Sequence, residues 1–246
     1  MAGIPMEIVP EYPSEGKLII LTEAASYDEN IVEKIKKSIS AGGNVVITSG
    51  LLKALQGKGI EQIAELRYTD RKSLASGFLL GRTSIDTQNE IIIPQIEYYT
   101  NDSWEVISAM DNGLGWPLLH RADYSKGNLF VLVIPDNFAD IYALPEPVLN
   151  KIREVLSVDL PVFLNAPSQV SLFLYDNNTF VVHSFNNEPV DIQLVLKQNG
   201  LNIKDLSENT NLKKDEGKTS TQGNRNKLSY YSSTIQPHSF KVFKIE

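Results

Sequence analysis

The sequence has 246 residues, of which 42% are hydrophobic and 22% are charged, and its formal net charge is -7. Its length and composition are typical of a globular protein with one large domain or two modest ones. The negative charge argues against nucleic acid or an anionic membrane surface as the main partner. The absence of cysteine excludes disulfides, thiolate metal ligands and cysteine nucleophiles.

The N-terminal residues MAGIPMEIVPEYP lack the basic segment and the apolar core of a signal peptide. No apolar run approaches the roughly 18 residues needed to cross a bilayer, so we expect no membrane partner. The sequence leaves the compartment open. Export to the periplasm is one alternative, with the signal or an upstream region lying outside this sequence.

The first part of the chain alternates strand and helix. KLIILT (17–22) and NVVIT (44–48) are continuous apolar runs, as expected of strands buried on both faces. Between them lies a predicted helix that ends at Gly42-Gly43 and has one apolar face, formed by Ile31, Val32, Ile35 and Ile39. A second helix begins at about Gly50. This order of elements predicts a parallel sheet.

The middle of the chain is less regular. Strands are predicted in residues 91–100 and 104–110, and residues 116–136 contain two strands joined by a turn around Ser125-Lys126-Gly127. An amphipathic helix follows, whose inward face is formed by Val148, Leu149, Ile152, Val155 and Leu156.

After about residue 160 the pattern changes to short strands separated by turns. SLFLYDNNTFVVHSF (171–185) is typical of a strand, an Asp-Asn-Asn turn and a second strand, and the chain closes with alternating strand character. Residues 206–228 are polar and form either a long hairpin loop or a flexible insertion. These features predict a small all-β domain.

Three stretches carry a resemblance to a known family: AGGNVVITSG (41–50), YSKGNLFVLVIPD (124–136) and TIQPHSFKVFKI (234–245). They resemble the glutamine-amidotransferase-like α/β domain that follows the catalytic barrel in some glycosidases, as in the trimerisation domain of β-galactosidases, and its closing β domain. The resemblance implies an α/β fold with a flavodoxin-like, class I amidotransferase-like parallel sheet domain over residues 1–160. A small antiparallel β-sandwich follows over residues 161–246.

The resemblance also implies a function. It points to a non-catalytic accessory module of a carbohydrate-active protein that acts through domain or subunit packing. A working amidotransferase needs a nucleophilic cysteine and a glycosidase needs its eight-stranded barrel, and this chain has no cysteine and too few residues for a barrel plus a β domain. The implied partners are an upstream catalytic domain, a second copy of the chain, or a carbohydrate.

Ser49 lies at the strand-to-helix turn, where several hydrolase folds hold their nucleophile. The nucleophile elbow has glycine two residues before and two residues after the serine, whereas here those positions are Ile47 and Leu51. Serine is also among the best N-cap residues of a helix. We therefore interpret Ser49 as a helix cap, and a hydrolase that uses Ser49 is the alternative.

Four residues follow predicted strands at the edge where open α/β sheets bind ligands. We expect Glu23, Ser49, Asp136 and Asn137 to line a pocket there. The structural alternative is that Glu23 favours a nearby helix N-terminus and that Asp136-Asn137 forms a turn.

The sequence gives little support for a metal site or a phosphate-binding site. The three histidines, His120, His183 and His238, lack the spacing of a metal site. Gly57-Lys58-Gly59 and Gly113-Leu114-Gly115 lack the remainder of a phosphate-binding motif. We expect no metal and no cofactor.

Aromatic side chains offer a further alternative, a carbohydrate-binding module that acts through the β domain. Such a module needs exposed rings that stack on the apolar faces of sugars. The candidates are Tyr98, Tyr99, Trp104, Trp116, Tyr230 and Tyr231.

Overall fold

The computed structural model describes residues 2–13, 16, 18–198, 200–215 and 228–246. Most of the predicted loop at 206–228, from 216 to 227, therefore lies outside the described residues. The chain divides into two compact units, one formed by Val9–Val148 and the other by Met1–Ile8 together with Leu149–Glu246. In the described part of the chain, no helix has the length and apolar character needed to cross a membrane.

The unit Val9–Val148 is built on one sheet with two α-helices. Its strands are β1 Leu18–Leu21, β2 Asn44–Thr48, β3 Leu66–Leu80, β4 Thr83–Tyr98, β5 Ser103–Asp111, β6 Leu114–Tyr124 and β7 Gly127–Leu132. The helices are α1 Ile31–Ser40 and α2 Ser49–Leu55, and short 3-10 helices cover Glu23–Tyr27, Ile60–Gln62 and Phe138–Ala143.

The seven strands have the order β1-β2-β7-β6-β5-β3-β4. β1, β2 and β7 are parallel, as predicted, whereas β7, β6, β5, β3 and β4 pair antiparallel. Short turns join β3 to β4 and β5 to β6, with left-handed backbone at Gly81, Asn112 and Gly113, and tight hairpins permit only antiparallel pairing. The sheet is therefore mixed and curled, and the predicted flavodoxin-like assignment is not confirmed.

Strand β2 lies in the interior of this sheet. Val45, Val46 and Ile47 have 0% exposure although successive side chains point to opposite faces, so both faces of the strand are covered. The predicted apolar face of α1 is confirmed, since all of its members are buried: Ile31, Val32, Ile35 and Ile39. Gly127 at the start of β7 is required by close approach, because a Cβ there would lie 2.0 Å from the carbonyl oxygen of Gly43.

The second unit is all-β apart from the helix α3, Glu146–Leu156, which contributes its residues from Leu149 onward. Its strands are β8 Val162–Asn165, β9 Val170–Leu174, β10 Thr179–Ser184, β11 Val190–Leu196, β12 Ile203–Asp205, β13 Thr210–Asn211, β14 Ser229–Ile235 and β15 Phe240–Ile245. They form a five-stranded sheet, β13-β12-β15-β10-β9, and a three-stranded sheet, β14-β11-β8. Both sheets are antiparallel, and buried residues of both form one core cluster, as in a β-sandwich.

Buried Arg153 explains why the N-terminal residues belong to this second unit. Its side chain is 0% exposed, and its guanidinium donates to the carbonyl oxygens of Ala2 (2.6 Å), Ala166 and Pro167 (3.0 Å). It also donates to Asn150 Oδ1 (2.6 Å). A buried guanidinium needs its donors satisfied, and the segment that contains Ala2 supplies one of the acceptors.

Candidate functional site

The turn between β2 and α2 differs from the predicted one by a single residue. The N-cap of α2 is Thr48, whose Oγ1 accepts a hydrogen bond from Leu51 N–H (3.3 Å). The prediction that Ser49 is the cap is therefore wrong. Both residue types serve as caps, and the extended backbone of Thr48, at φ -79° and ψ 159°, decides which hydroxyl reaches the first turn.

Ser49 links the ends of two parallel strands instead. Its Oγ accepts a hydrogen bond from Ile134 N–H (3.1 Å), two residues after the end of β7, and the residue is 3% exposed. A serine nucleophile needs an accessible Oγ hydrogen-bonded to a base. Among the described residues, neither a histidine nor a carboxylate makes a hydrogen bond with Ser49 Oγ.

Glu23 lies close to this turn. It opens the 3-10 helix Glu23–Tyr27 and is exposed, and its Oε2 lies where a Cβ on Gly50 would be only 2.8 Å away. Glycine at position 50 therefore allows the carboxylate to approach the start of α2, where a negative charge is favourable. The structure thus brings Glu23 and Ser49 to the same corner of the sheet.

Asp136 and Asn137 make contacts of a different kind. Asp136 accepts a hydrogen bond from Lys72 Nζ (2.5 Å), and its backbone N–H donates to the carbonyl oxygen of Ile92 (2.9 Å). Asn137 caps the 3-10 helix Phe138–Ala143 by accepting from Ala139 N–H (3.2 Å). These contacts attach the segment after β7 to β3 and β4, so both side chains have structural partners.

Among the described titratable groups of this unit, His120 on β6 has the largest shift in pKa. It is 0% exposed, neither ring nitrogen has a hydrogen-bond partner among the described residues, and its ring packs against Tyr98 at a centroid distance of 4.6 Å. Burial lowers the pKa of His120 to about 4, so the ring is neutral at pH 7. Its ring packs in the core and makes no hydrogen bond with Ser49 Oγ, so the contacts of His120 in the described structure are structural.

No group of three or more histidine and acidic side chains in the described ranges is placed to hold a metal ion. His183 packs instead against the rings of Phe185 and Phe240, with centroid distances of 4.1 and 6.2 Å. His238 hydrogen-bonds through Nε2 to Asn187 Oδ1 (2.9 Å).

The aromatic candidates for sugar stacking divide into buried and exposed rings. Tyr231 is 1% exposed and its hydroxyl donates to the carbonyl oxygen of Leu201 (2.8 Å), so it is a core residue. Tyr99 and Trp104 are 63% and 42% exposed. Each lies beside a guanidinium, with the Cζ of Arg67 5.8 Å from the Tyr99 ring and that of Arg121 4.8 Å from the Trp104 ring.

A row of aromatic rings lies on one face of the five-stranded sheet and was not predicted from the sequence. We call it the outer aromatic face, formed by Phe173, Tyr175, His183 and Phe240. Phe173, Tyr175 and Phe240 are 46%, 57% and 60% exposed. The register pairs Phe173 with Val181 and His183 with Phe240, so Phe173, His183 and Phe240 share the face turned away from the core, and Tyr175 directly follows β9. The sequence signal of this face is the alternation of side chains within SLFLY. This alternation is hard to recognise because the inward residues of SLFLY are apolar as well.

Comparison with known protein families covers both parts of the chain. Residues 1–137, more than half of the chain, match the family described as "Uncharacterized protein SSO3021, second domain". The chain belongs to that family. Residues 161–245 match another family, described as the C-terminal domain of a probable glycosyl hydrolase. The predicted association with glycoside hydrolases is confirmed in this coarse form, whereas the amidotransferase-like detail is not.

Among solved structures, the chain is similar to Gan42B, a GH42 beta-galactosidase, with 12% sequence identity and a TM-score of 0.47 over 94% of this chain. The matched region covers 32% of that protein, so this chain spans about a third of its length. A match at this level does not define a function. No curated protein matches the sequence.

Proposed function

We propose that the chain is a non-catalytic accessory module of a glycoside hydrolase-related protein and acts through domain or subunit packing. The observation that carries the proposal is the match of residues 161–245 to the C-terminal domain of a probable glycosyl hydrolase. The contacts of the candidate site residues support it, because Ser49 Oγ is buried against Ile134 N–H and Asp136 is paired with Lys72. The expected partner is an upstream catalytic domain or a second copy of the chain.

The finer fold assignment belongs to the same proposal. An amidotransferase-like origin of residues 1–160, followed by a separate module over 161–246, is supported by the β1-α1-β2 unit and by the parallel pairing of β2 with β7. The antiparallel strands β3 to β6 lie between β2 and β7 in the chain, and on this proposal they are an elaboration of a parallel sheet.

Activity measurements test the non-catalytic part of the proposal. The full chain is assayed at high concentration against chromogenic glycosides and esters, alongside Ser49→Ala and the neighbouring variant Thr48→Ala. We expect no turnover that depends on Ser49. Turnover that is lost in Ser49→Ala but kept in Thr48→Ala would establish the alternative, a hydrolase that uses Ser49. Circular dichroism of all three proteins checks that they are folded.

A carbohydrate-binding role of the β domain is the second candidate, and the outer aromatic face favours it. Exposed aromatic rings on a regular sheet form a rigid apolar platform, and an apolar surface of this kind marks an interaction site. Affinity electrophoresis on a panel of polysaccharides tests this role. Retardation that is lost in Phe173→Ala and Phe240→Ala supports it, and migration unaffected by every polysaccharide refutes it.

A further inference from the structure

One face of the seven-stranded sheet carries a group of polar side chains around a tryptophan. Trp104 pairs with Arg121 across β5 and β6, and Asp123 pairs with Asn128 across β6 and β7. Asn128 in turn pairs with Asn44 of β2. Residues 121 and 123 lie two apart on one strand, so all five side chains share one face of the sheet. We call these five residues the Trp104 face.

Hydrogen bonds connect the polar members of the Trp104 face. Arg121 Nε donates to Asp123 Oδ1 (3.0 Å) and to Asn128 Oδ1 (2.9 Å). Asn128 Nδ2 donates to Asn44 Oδ1 (2.7 Å). The Arg121 guanidinium also lies beside the indole of Trp104, with Cζ 4.8 Å from the ring centroid. The network fixes the guanidinium, the carboxylate and the ring relative to one another, which lowers the entropy cost of binding a ligand.

The Trp104 face keeps polar atoms that have no hydrogen-bond partner among the described residues. They are Asp123 Oδ2, which is an acceptor, and Arg121 Nη1, which is a donor. The Asp123 side chain is exposed, and Trp104 is 42% exposed. A ligand on this face therefore meets an acceptor, a donor and an aromatic ring on neighbouring strands.

The charges of the Trp104 face favour a neutral ligand. The Arg121 guanidinium is already paired with Asp123, with Nη2 3.0 Å from Oδ1, so the free carboxylate oxygen repels an anion and the guanidinium repels a cation. A purely apolar ligand would remove both charged groups from water without forming hydrogen bonds, which is unfavourable. A neutral sugar fits all three groups, because its hydroxyls both donate and accept and its ring has an apolar side formed by C–H groups.

We propose that the Trp104 face binds the pyranose ring of a neutral sugar. The apolar side of the sugar packs against the exposed part of the Trp104 indole. One hydroxyl donates to Asp123 Oδ2, and a neighbouring hydroxyl accepts from Arg121 Nη1. Asn128 is a positioning residue, because its Oδ1 holds the Arg121 guanidinium in place.

This site is separate from the other candidate surfaces of the chain. It lies at the end of the sheet where β2 and β7 begin, whereas Ser49 and Ile134 lie where those strands end. It belongs to the unit Val9–Val148 and not to the β domain that carries the outer aromatic face. The proposal goes beyond the proposed function, because sugar binding at this site needs neither a partner domain nor a second copy.

Saturation-transfer difference NMR of the full chain tests the proposal with five probes: methyl β-glucoside, methyl β-galactoside, glucuronate, glycerol and adenosine. We expect at least one methyl glycoside to bind with a Kd of about 1–10 mM, on the scale of one stacked ring and two hydrogen bonds. The C–H protons on one side of its ring should receive the strongest saturation, because they contact the indole. Glucuronate is repelled by Asp123, glycerol has no apolar ring side and adenosine presents a flat base, so each should bind more weakly.

Two variants test the proposed contacts, each with a matched control. Trp104→Ala should weaken glycoside binding about tenfold or more, because it removes the stacking surface. Trp116→Ala, which removes the other tryptophan of the chain, should leave the affinity unchanged. Asp123→Asn keeps the size of the side chain but loses the charged acceptor, and should weaken binding about tenfold. Its control is Asp86→Asn, at an exposed position of β4.

Three results would overturn the site. They are the absence of glycoside binding at about 20 mM, a glycerol, glucuronate or adenosine affinity equal to that of the better glycoside, and unchanged affinity in Trp104→Ala or Asp123→Asn. Thermal unfolding checks that each variant is folded, and Asp123→Asn decides if Trp104→Ala does not fold. Phe173→Ala should leave glycoside affinity unchanged, and loss of binding in this variant would place the sugar on the outer aromatic face instead.

Discussion

Strands β2 and β9 are both mainly apolar in the sequence, NVVIT and VSLFL, yet the structure covers them differently. In β2, Val46 and Ile47 point to opposite faces and both have 0% exposure. In β9, Leu172 is 3% exposed while its neighbour Phe173 is 46% exposed. β2 lies between β1 and β7 in the interior of its sheet, whereas β9 is an edge strand with one face on the sandwich core.

This difference shows that an apolar run predicts a strand but does not predict whether one or both of its faces are covered. Alternate side chains of a strand point to opposite faces, and only the second layer of the fold determines whether each face meets protein or solvent. Apolar residues on an uncovered face cost solubility without adding to the core. The packing of the core therefore does not account for the apolar residues of the outer aromatic face.

The largest expected difference in the free energy of unfolding is between variants of two phenylalanines of β15. Phe243→Ala removes a ring with 0% exposure from the sandwich core and should reduce the free energy of unfolding by about 3–5 kcal/mol. Phe240→Ala removes a ring that is 60% exposed on the same strand and should cost about 1 kcal/mol or less. Urea denaturation followed by circular dichroism measures both. Equal losses of unfolding free energy in the two variants would contradict the distinction between a covered and an uncovered face.

Adjacent residues of β2 test the strand that is covered on both faces. Ile47→Ala and Val46→Ala should each destabilise the protein, Ile47→Ala by about 2–5 kcal/mol and Val46→Ala by somewhat less, because each leaves a cavity. The matched pair in β9 is Leu172→Ala, with a similar cost, and Phe173→Ala, with a small one. A small cost for either β2 variant in urea denaturation would contradict full coverage.

The pH dependence of the free energy of unfolding tests coverage in a second way, because a strand that is covered on both faces can also bury a polar side chain. The pKa of His120 is lowered by burial to about 4, from an ordinary value of 6.5. The unfolded chain therefore binds a proton below about pH 6.5 that the folded chain does not bind until about pH 4. Stability is expected to fall as the pH drops through this window, by about 3 kcal/mol in total.

The control for this prediction is the variant His120→Leu, whose stability should depend less on pH between 7 and 4. Urea denaturation at a series of pH values measures the slopes. A slope that His120→Leu leaves unaltered would show that other groups are responsible.

The smallest expected effect concerns the end of β2. Thr48→Ala removes the hydroxyl that accepts from Leu51 N–H and should cost about 1 kcal/mol, whereas Thr48→Ser keeps a cap and should cost less. Thermal unfolding of the two variants measures the difference. If Thr48→Ala is neutral, the first turn of α2 does not depend on this cap.

Parts of the fold were predictable because they depend on local pattern. The strands β1 and β2 and the apolar face of α1 follow from periodicity over a few residues, and each is found where predicted. Strand β3 was not predicted, because LRYTDRKSLASGFLL has no regular alternation and contains a bulge.

The predicted strand-end site was only partly recoverable for a similar reason. Sequence order places Glu23, Ser49 and Asp136 after strands, and Glu23 does lie beside Gly50, the residue that follows Ser49. Asp136 pairs with Lys72, which lies 64 residues earlier in the chain. A contact at that separation depends on how the sheet curls, which no short stretch of sequence specifies.

The sequence by itself determined the strands β1 and β2, the apolar face of α1 and the absence of thiol chemistry, because composition and periodicity act over a few residues. Only the tertiary structure decided that the seven-stranded sheet is mixed, that Thr48 rather than Ser49 caps α2, and that Phe173 and Phe240 face solvent. These outcomes depend on which strands become neighbours and which faces they cover. Strand pairing and coverage are set by contacts between distant residues, and the free energy of those contacts is not encoded in any local pattern.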